Sequence, residues 1–187
     1  MNPFDHVAVA FSMVLSLGIV RLLDGLRPAL VPGPRYWVHV LWLFQKLLNH
    51  AYYWWVFGTL RDASTWNIVS FVWVLLVPSL LFLQATALVT TAPEDVTSWR
   101  AHFFGIRRWF FLVDAALMLH AIVTASVIRG LPLLHPFRAV QGAGLVLSIL
   151  GAASASPALH AVLAPLALLV QSLGLGTLFF SPRGLAT

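Results

Sequence analysis

LWLFQKLLNHAYYWW, residues 41–55, carries Gln45, Lys46, Asn49 and His50 inside a run of otherwise apolar side chains. On a helix advancing about 100° per residue, Arg35, His39, Trp42, Gln45, Lys46, Asn49, His50 and Tyr53 fall within an arc of roughly 140°. Val40, Leu43, Phe44, Leu47, Leu48, Ala51 and Trp55 take the other side. The polar groups therefore form one stripe down the helix. What the stripe faces depends on the solvent around the chain.

Composition identifies that solvent. Of 187 residues, 60% are hydrophobic and only 9% are Asp, Glu, Lys or Arg, whereas a soluble domain has about a quarter of its residues charged. So few charges cannot cover a water-facing surface, and the expected surroundings are hydrocarbon. Lipid satisfies neither an amine nor an amide, and a charge at the bilayer centre costs on the order of a few kcal/mol. The stripe must then face other helices or a water-filled space.

A membrane helix needs roughly 20 mostly apolar residues. Six stretches qualify, at about 4–24, 36–59, 66–90, 103–128, 136–154 and 157–180. The expected fold is an all-α integral membrane bundle of six transmembrane helices in a single domain, residues 1–187. RPALVPGPR, RDAST, TTAPEDVTSWR, RGLPLLHP and SASP punctuate it with Pro, Gly and charge. The segment at about 93–102 reads as a short helix lying at the interface, with Pro93 in its first turn. The start, MNPFDHVAVAFSM, lacks a basic leader and a small-residue cleavage site, so it reads as a retained helix.

Tyr36, Trp37, Trp54, Trp55, Trp66, Trp99 and Trp109 mark expected water boundaries. Arg21, Arg27, Arg35, Arg100, Arg107 and Arg108 would share one face, and Arg61, Arg129, Arg138 and Arg183 the other. That majority places both termini outside the cytoplasm. Pro78 and Pro165 fall inside the third and sixth stretches and should bend them.

Lys46 lies about ten residues into the second stretch and Asp114 about eleven into the fourth, each about 15 Å below one face. A buried amine and a buried carboxylate at equal depth should pair, since either alone is costly. The expected polar centre comprises Lys46, His50 and Asp114 with Gln45, Asn49, His39, Tyr53, Gln84 and Gln171. An imidazole suits proton traffic because its ordinary pKa is near 6.5. The competing reading is a structural clasp that fixes helix register.

Three smaller features complete the pattern. Gly144, Ser148 and Ala152 recur every fourth residue, with Gly151 nearby, as a ridge that lets another helix approach. Arg107, Arg108 and Trp109 form a cluster that grips a lipid phosphate or anchors the helix and sets topology; Arg21 is a further anchor and can pair with Asp24.

Other chemistries find little support. The chain has no cysteine, which removes disulfides, thiolate metal sites and cysteine nucleophiles. His39 and His50 share a face roughly 16 Å apart, but histidines alone do not specify haem, and no cofactor is expected. No histidine has a carboxylate at helical spacing, so no metal site is expected. Ser12, Ser16, Ser148 and Ser172 carry no nucleophile signature, and no glycine-rich phosphate loop occurs. No catalytic residue emerges, and the chain does not read as an enzyme. The basic balance of +5 is scattered at helix ends, which fits anionic lipid better than nucleic acid.

SLGIVRLLDGL near the start, YWVHVLW opening the second stretch, the YYWW that follows and RRWFF at 107–111 carry a resemblance. In these the chain resembles an uncharacterised family of small bacterial multi-pass inner-membrane proteins, from the first stretch to the fourth especially. The resemblance implies a bacterial inner (cytoplasmic) membrane and brings no activity or substrate. Two functions stay open. One is translocation or sensing of a proton, ion or small solute. The other is a non-transporting membrane subunit whose stripe and ridge dock a membrane partner or a second copy.

Overall fold

The computed structural model describes residues 3–31, 35–61, 66–128, 130–132 and 134–179. Six α-helices occur among them: α1 (Pro3–Leu30), α2 (Trp37–Gly58), α3 (Ile68–Leu88), α4 (Trp99–Val127), α5 (Pro136–Ala153) and α6 (Pro157–Phe179). The described residues contain no strand. Five helices are long and apolar enough to cross a membrane, and α2 is not among them. Its polar stripe is the reason: Gln45, Lys46, Asn49 and His50 dilute a segment of sufficient length.

Helix ends follow local chemistry. Asn67 caps α3 by accepting from the N–H groups of Val69 and Ser70, while the Ser70 hydroxyl accepts from Asn67 N–H. His135 Nδ1 accepts from Phe137 N–H ahead of α5, whose first residue is Pro136. Two ends differ from expectation. α1 runs to Leu30 with Pro28 inside it, because a proline in a last turn removes a single backbone bond there. The region read as an interfacial helix is a short 3-10 turn at Pro93–Asp95. α4 then starts at Trp99, where Ser98 Oγ accepts from Ala101 N–H at 3.3 Å. Arg129 and Arg183, counted for topology, and residue 180, at the sixth stretch's end, lie outside the described residues.

The chain divides into two compact units, Met1–Ile106 and Arg107–Thr187. In the first, α1 packs on both α2 and α3, and α2 also meets α3. One end is closed by aromatic rings: Phe57 stacks on Phe4 at 5.0 Å and on Phe11 at 4.2 Å. Each such pair adds about 0.5–1.5 kcal/mol beyond the area it buries. At the other end Arg21 donates to Val89 O at 2.9 Å and Trp99 Nε1–H to Pro28 O at 3.2 Å. Arg21 thus serves the carbonyl that ends α3, where no backbone N–H follows to bond it, and not Asp24. Trp99 is correspondingly buried.

In the second unit α5 packs on α6. α5 also lies against α4, as a methyl built on Gly144 would sit 2.9 Å from Met118 Sδ, and one on Gly151 2.6 Å from the Phe111 ring. Small residues here let two helices touch within one chain. In both units large apolar side chains point outward, among them Met13, Trp55, Ile68, Ile149 and Val162, while His39, Lys46, His50, Gln84 and Asp114 are buried. Such an arrangement inverts that of a soluble domain.

Candidate functional site

The buried face of α2 consists of Val38, His39, Trp42, Leu43, Gln45, Lys46, Asn49, His50, Tyr53 and Phe57. Every described member of the sequence stripe except the exposed Arg35 lies on it. Leu43, placed on the apolar side of the wheel, is buried as well. Phe44, Trp54 and Trp55 on the outer side are exposed. The helix turns its polar face inward, as hydrocarbon surroundings require.

Lys46 and His50 are 0% exposed. His50 Nδ1–H donates to Lys46 O at 2.7 Å. A carbonyl can only accept, so this bond fixes the ring proton on Nδ1 and leaves Nε2 with a lone pair. Nε2 has no hydrogen-bond partner among the described residues. It points at α1 where Gly18 removes the obstacle: a methyl on Gly18 would lie 2.3 Å from it. The Lys46 ammonium lies 5.6 Å from the centre of the Trp42 ring, within cation–π range. Gln45, next to Lys46 in the chain, and Asn49, one turn on from Gln45, are buried on the same face, and Gln45 Oε1 has no partner among the described residues. Gln84 on α3 is also completely buried.

His39 occupies the other end of the stripe. Its ring stacks on Trp99 at 4.9 Å, meets His102 at 5.7 Å and Phe103 at 6.4 Å. Trp99, His102 and Phe103 belong to the first turns of α4, far away in sequence. Neither they nor Gly18 carries a sequence signal tying it to the stripe. A glycine within a helical run was the only available hint for Gly18.

The remaining predicted residues have surroundings of their own in the second unit. Asp114 Oδ2 accepts from Ser148 Oγ–H at 2.7 Å, and that hydroxyl also lies 2.8 Å from Gly144 O. The expected ridge is thus turned to α4 by Gly144, Ser148 and Gly151, with Ala152 half-buried beside them. Arg107 Nε–H and His160 Nε2–H both donate to Ser154 O, at 3.0 and 2.9 Å. Arg108 and Trp109 are exposed. The Gln171 amide has its oxygen and nitrogen buried with no partner among the described residues. Lys46 and Asp114 belong to different units, and each is described with the neighbours of its own.

Chemically, the α2 face offers two imidazoles, His39 and His50, one amine and two amides along a single line. Such a line can accept, hold and pass a proton or bind a small polar solute. No protein-family model, curated protein or solved structure matches the chain.

Proposed function

We propose that this chain is a six-span integral protein of a bacterial inner membrane that translocates or senses a proton, ion or small polar solute along the buried face of α2. The chain acts without enzymatic chemistry. The observation that carries the reading is the coincidence of the polar stripe with the buried face of α2, with Lys46 and His50 completely enclosed. α2 alone is too polar to cross lipid. It becomes a sixth span when neighbouring helices shelter that face, and those neighbours then enclose a hydrophilic line.

His50 is the proton acceptor of this line, because its Nδ1–H is committed to Lys46 O and only Nε2 is left to titrate. Lys46, one turn away on the same buried face, is the second ionisable group of the line. The docking alternative needs the stripe or the ridge on an outer surface. The enclosure of Lys46 and His50 and the use of Gly144 and Ser148 against α4 favour the handling role.

The test is flux. Proteoliposomes carrying the unmodified chain should pass protons or small cations, and Lys46→Met should change that rate at least severalfold. Equal flux in both, or none in either, removes the translocation reading. A sensor would instead show a pH-dependent conformational signal lost in His50→Phe, and a signal that persisted would remove it too.

A further inference from the structure

We infer that His39 and His102 form a binding site for a monovalent copper ion at the α4 end of the stripe. His39 is 0% exposed. Neither Nδ1 nor Nε2 of His39 has a hydrogen-bond partner among the described residues. An unmet buried donor alone costs about 1–3 kcal/mol, so a native structure that keeps one has a use for it.

His102 stands across from it, the ring centres 5.7 Å apart and the planes at 85°. Two imidazoles on one ion, at about 2.0 Å per metal–nitrogen bond, would hold their ring centres about 5 Å apart at a tetrahedral angle and a little over 6 Å apart in line, which brackets the observed spacing. The second histidine is also prepared for the task. Its Nε2–H donates to Leu88 O at 3.2 Å, which leaves the Nδ1 lone pair available. A backbone-carbonyl bond of that kind is what orients a histidine that binds metal through its other nitrogen.

The rings are held from several sides. Trp99, which stacks on His39, is tied to α1 through Pro28 O, and His102 is tied to the end of α3 through Leu88 O. α1, α2, α3 and the first turn of α4 thus hold the two imidazole rings 5.7 Å apart.

The donor set selects the ion. No group of three or more His, Cys, Asp or Glu able to hold a metal occurs among the described residues. Zinc takes three or four protein ligands, often including anions, and here there are two neutral ones. Copper(I), a closed-shell ion, accepts two nitrogen donors. It also brings one charge, not two, into apolar surroundings where each buried charge is expensive.

The site does not depend on conduction along the stripe, and its test does not measure flux. The tag-free chain, purified in detergent and kept anaerobic, is titrated with copper(I) against a coloured chelator. One ion per chain is expected. His39→Ala and His102→Ala should each weaken it by about tenfold or more, while His6→Ala, at an exposed histidine of α1, should leave it unchanged. X-ray absorption on the unmodified chain guards against variants that misfold, and should show two imidazole nitrogens on copper. Absence of stoichiometric binding, binding that survives both substitutions, a copper shell without two imidazoles, or tighter binding of zinc would each overturn the assignment.

Discussion

His50 rests on Gly18 so closely that a methyl group at residue 18 would lie 2.3 Å from Nε2. The contact joins α1 to the stripe of α2, and the ring has little freedom to withdraw because Nδ1–H holds Lys46 O. Gly18→Ala should therefore cost about 1–3 kcal/mol through overpacking. Thermal unfolding in detergent measures it. Gly18→Ala combined with His50→Ala should cost less than the two single changes added, by about 0.5–3 kcal/mol, as expected for residues in contact. Strict additivity would show that the two helices do not meet there.

Lys46→Met separates a working lysine from a structural one. The side chain is enclosed and near Trp42. If its charge serves transport, a methionine of similar length should leave stability unchanged or raise it by about 1–4 kcal/mol, as hydrophobic replacements of buried charges often do. Flux should fall. A clasp predicts the reverse: unfolding at lower temperature with nothing else altered. Paired flux and unfolding measurements on one preparation decide between them.

The inward turn of α2 was legible in residues 35–53 because a helix's own period determines which side chains share a face. No partner needs to be known for that. The site's cross-helix members were not legible. Nothing in the spacing of His39, Trp99 and His102 announces that their rings stack, since loops and packing of α1 and α3 bring them together. Trp99 shows the same limit in another form. As a tryptophan near a helix end it reads as a boundary ring, and nothing in the sequence pairs its indole N–H with Pro28 O in the last turn of α1. Arg27-Pro28 looks like a break that would end α1 near Asp24, but the helix continues to Leu30.

Gly144→Leu tests whether the small-residue ridge serves the chain itself. A methyl at residue 144 already meets Met118 Sδ at 2.9 Å, so an isobutyl group must push α4 and α5 apart. A loss of stability of about 1–3 kcal/mol is expected from overpacking, with the mass in detergent unchanged. Dissociation of an oligomer without loss of monomer stability would assign the ridge to an intermolecular contact instead.

Ser148→Ala addresses the same pair of helices through its hydrogen bond. The hydroxyl donates to Asp114 Oδ2 at 2.7 Å inside the second unit, and hydrogen bonds to charged groups contribute about 1.5–3 kcal/mol. Ser148→Ala should lower stability by about that amount, and Ser148→Thr, which keeps the donor, should recover part of it. Asp114→Asn keeps an acceptor oxygen and should be milder than Asp114→Leu, which leaves the hydroxyl with Gly144 O alone. Equal effects for the two Asp114 variants would mean that the carboxylate contributes nothing through Ser148.

Arg138 offers the sharpest test of how the second unit is closed. Its guanidinium donates to Ile122 O at 3.0 Å, Leu131 O at 2.8 Å, Ser126 Oγ at 3.0 Å and Gln141 Oε1 at 3.2 Å. It therefore gathers the end of α4, the connection after it and the first turns of α5. A planar fork with several donors is what allows one side chain to serve acceptors in different directions, and the positive charge suits a helix C-terminus. Arg138→Ala should cost about 2–4 kcal/mol, more than one charged hydrogen bond but less than their sum, since water near the helix end takes over some partners. Arg138→Lys should recover less than half of the loss, because an ammonium cannot span the same acceptors. Hydrogen exchange should locate the effect at the last turn of α4 and at Leu131. If Arg138→Lys unfolds like the unmodified chain, charge alone holds this corner and the fork geometry is incidental.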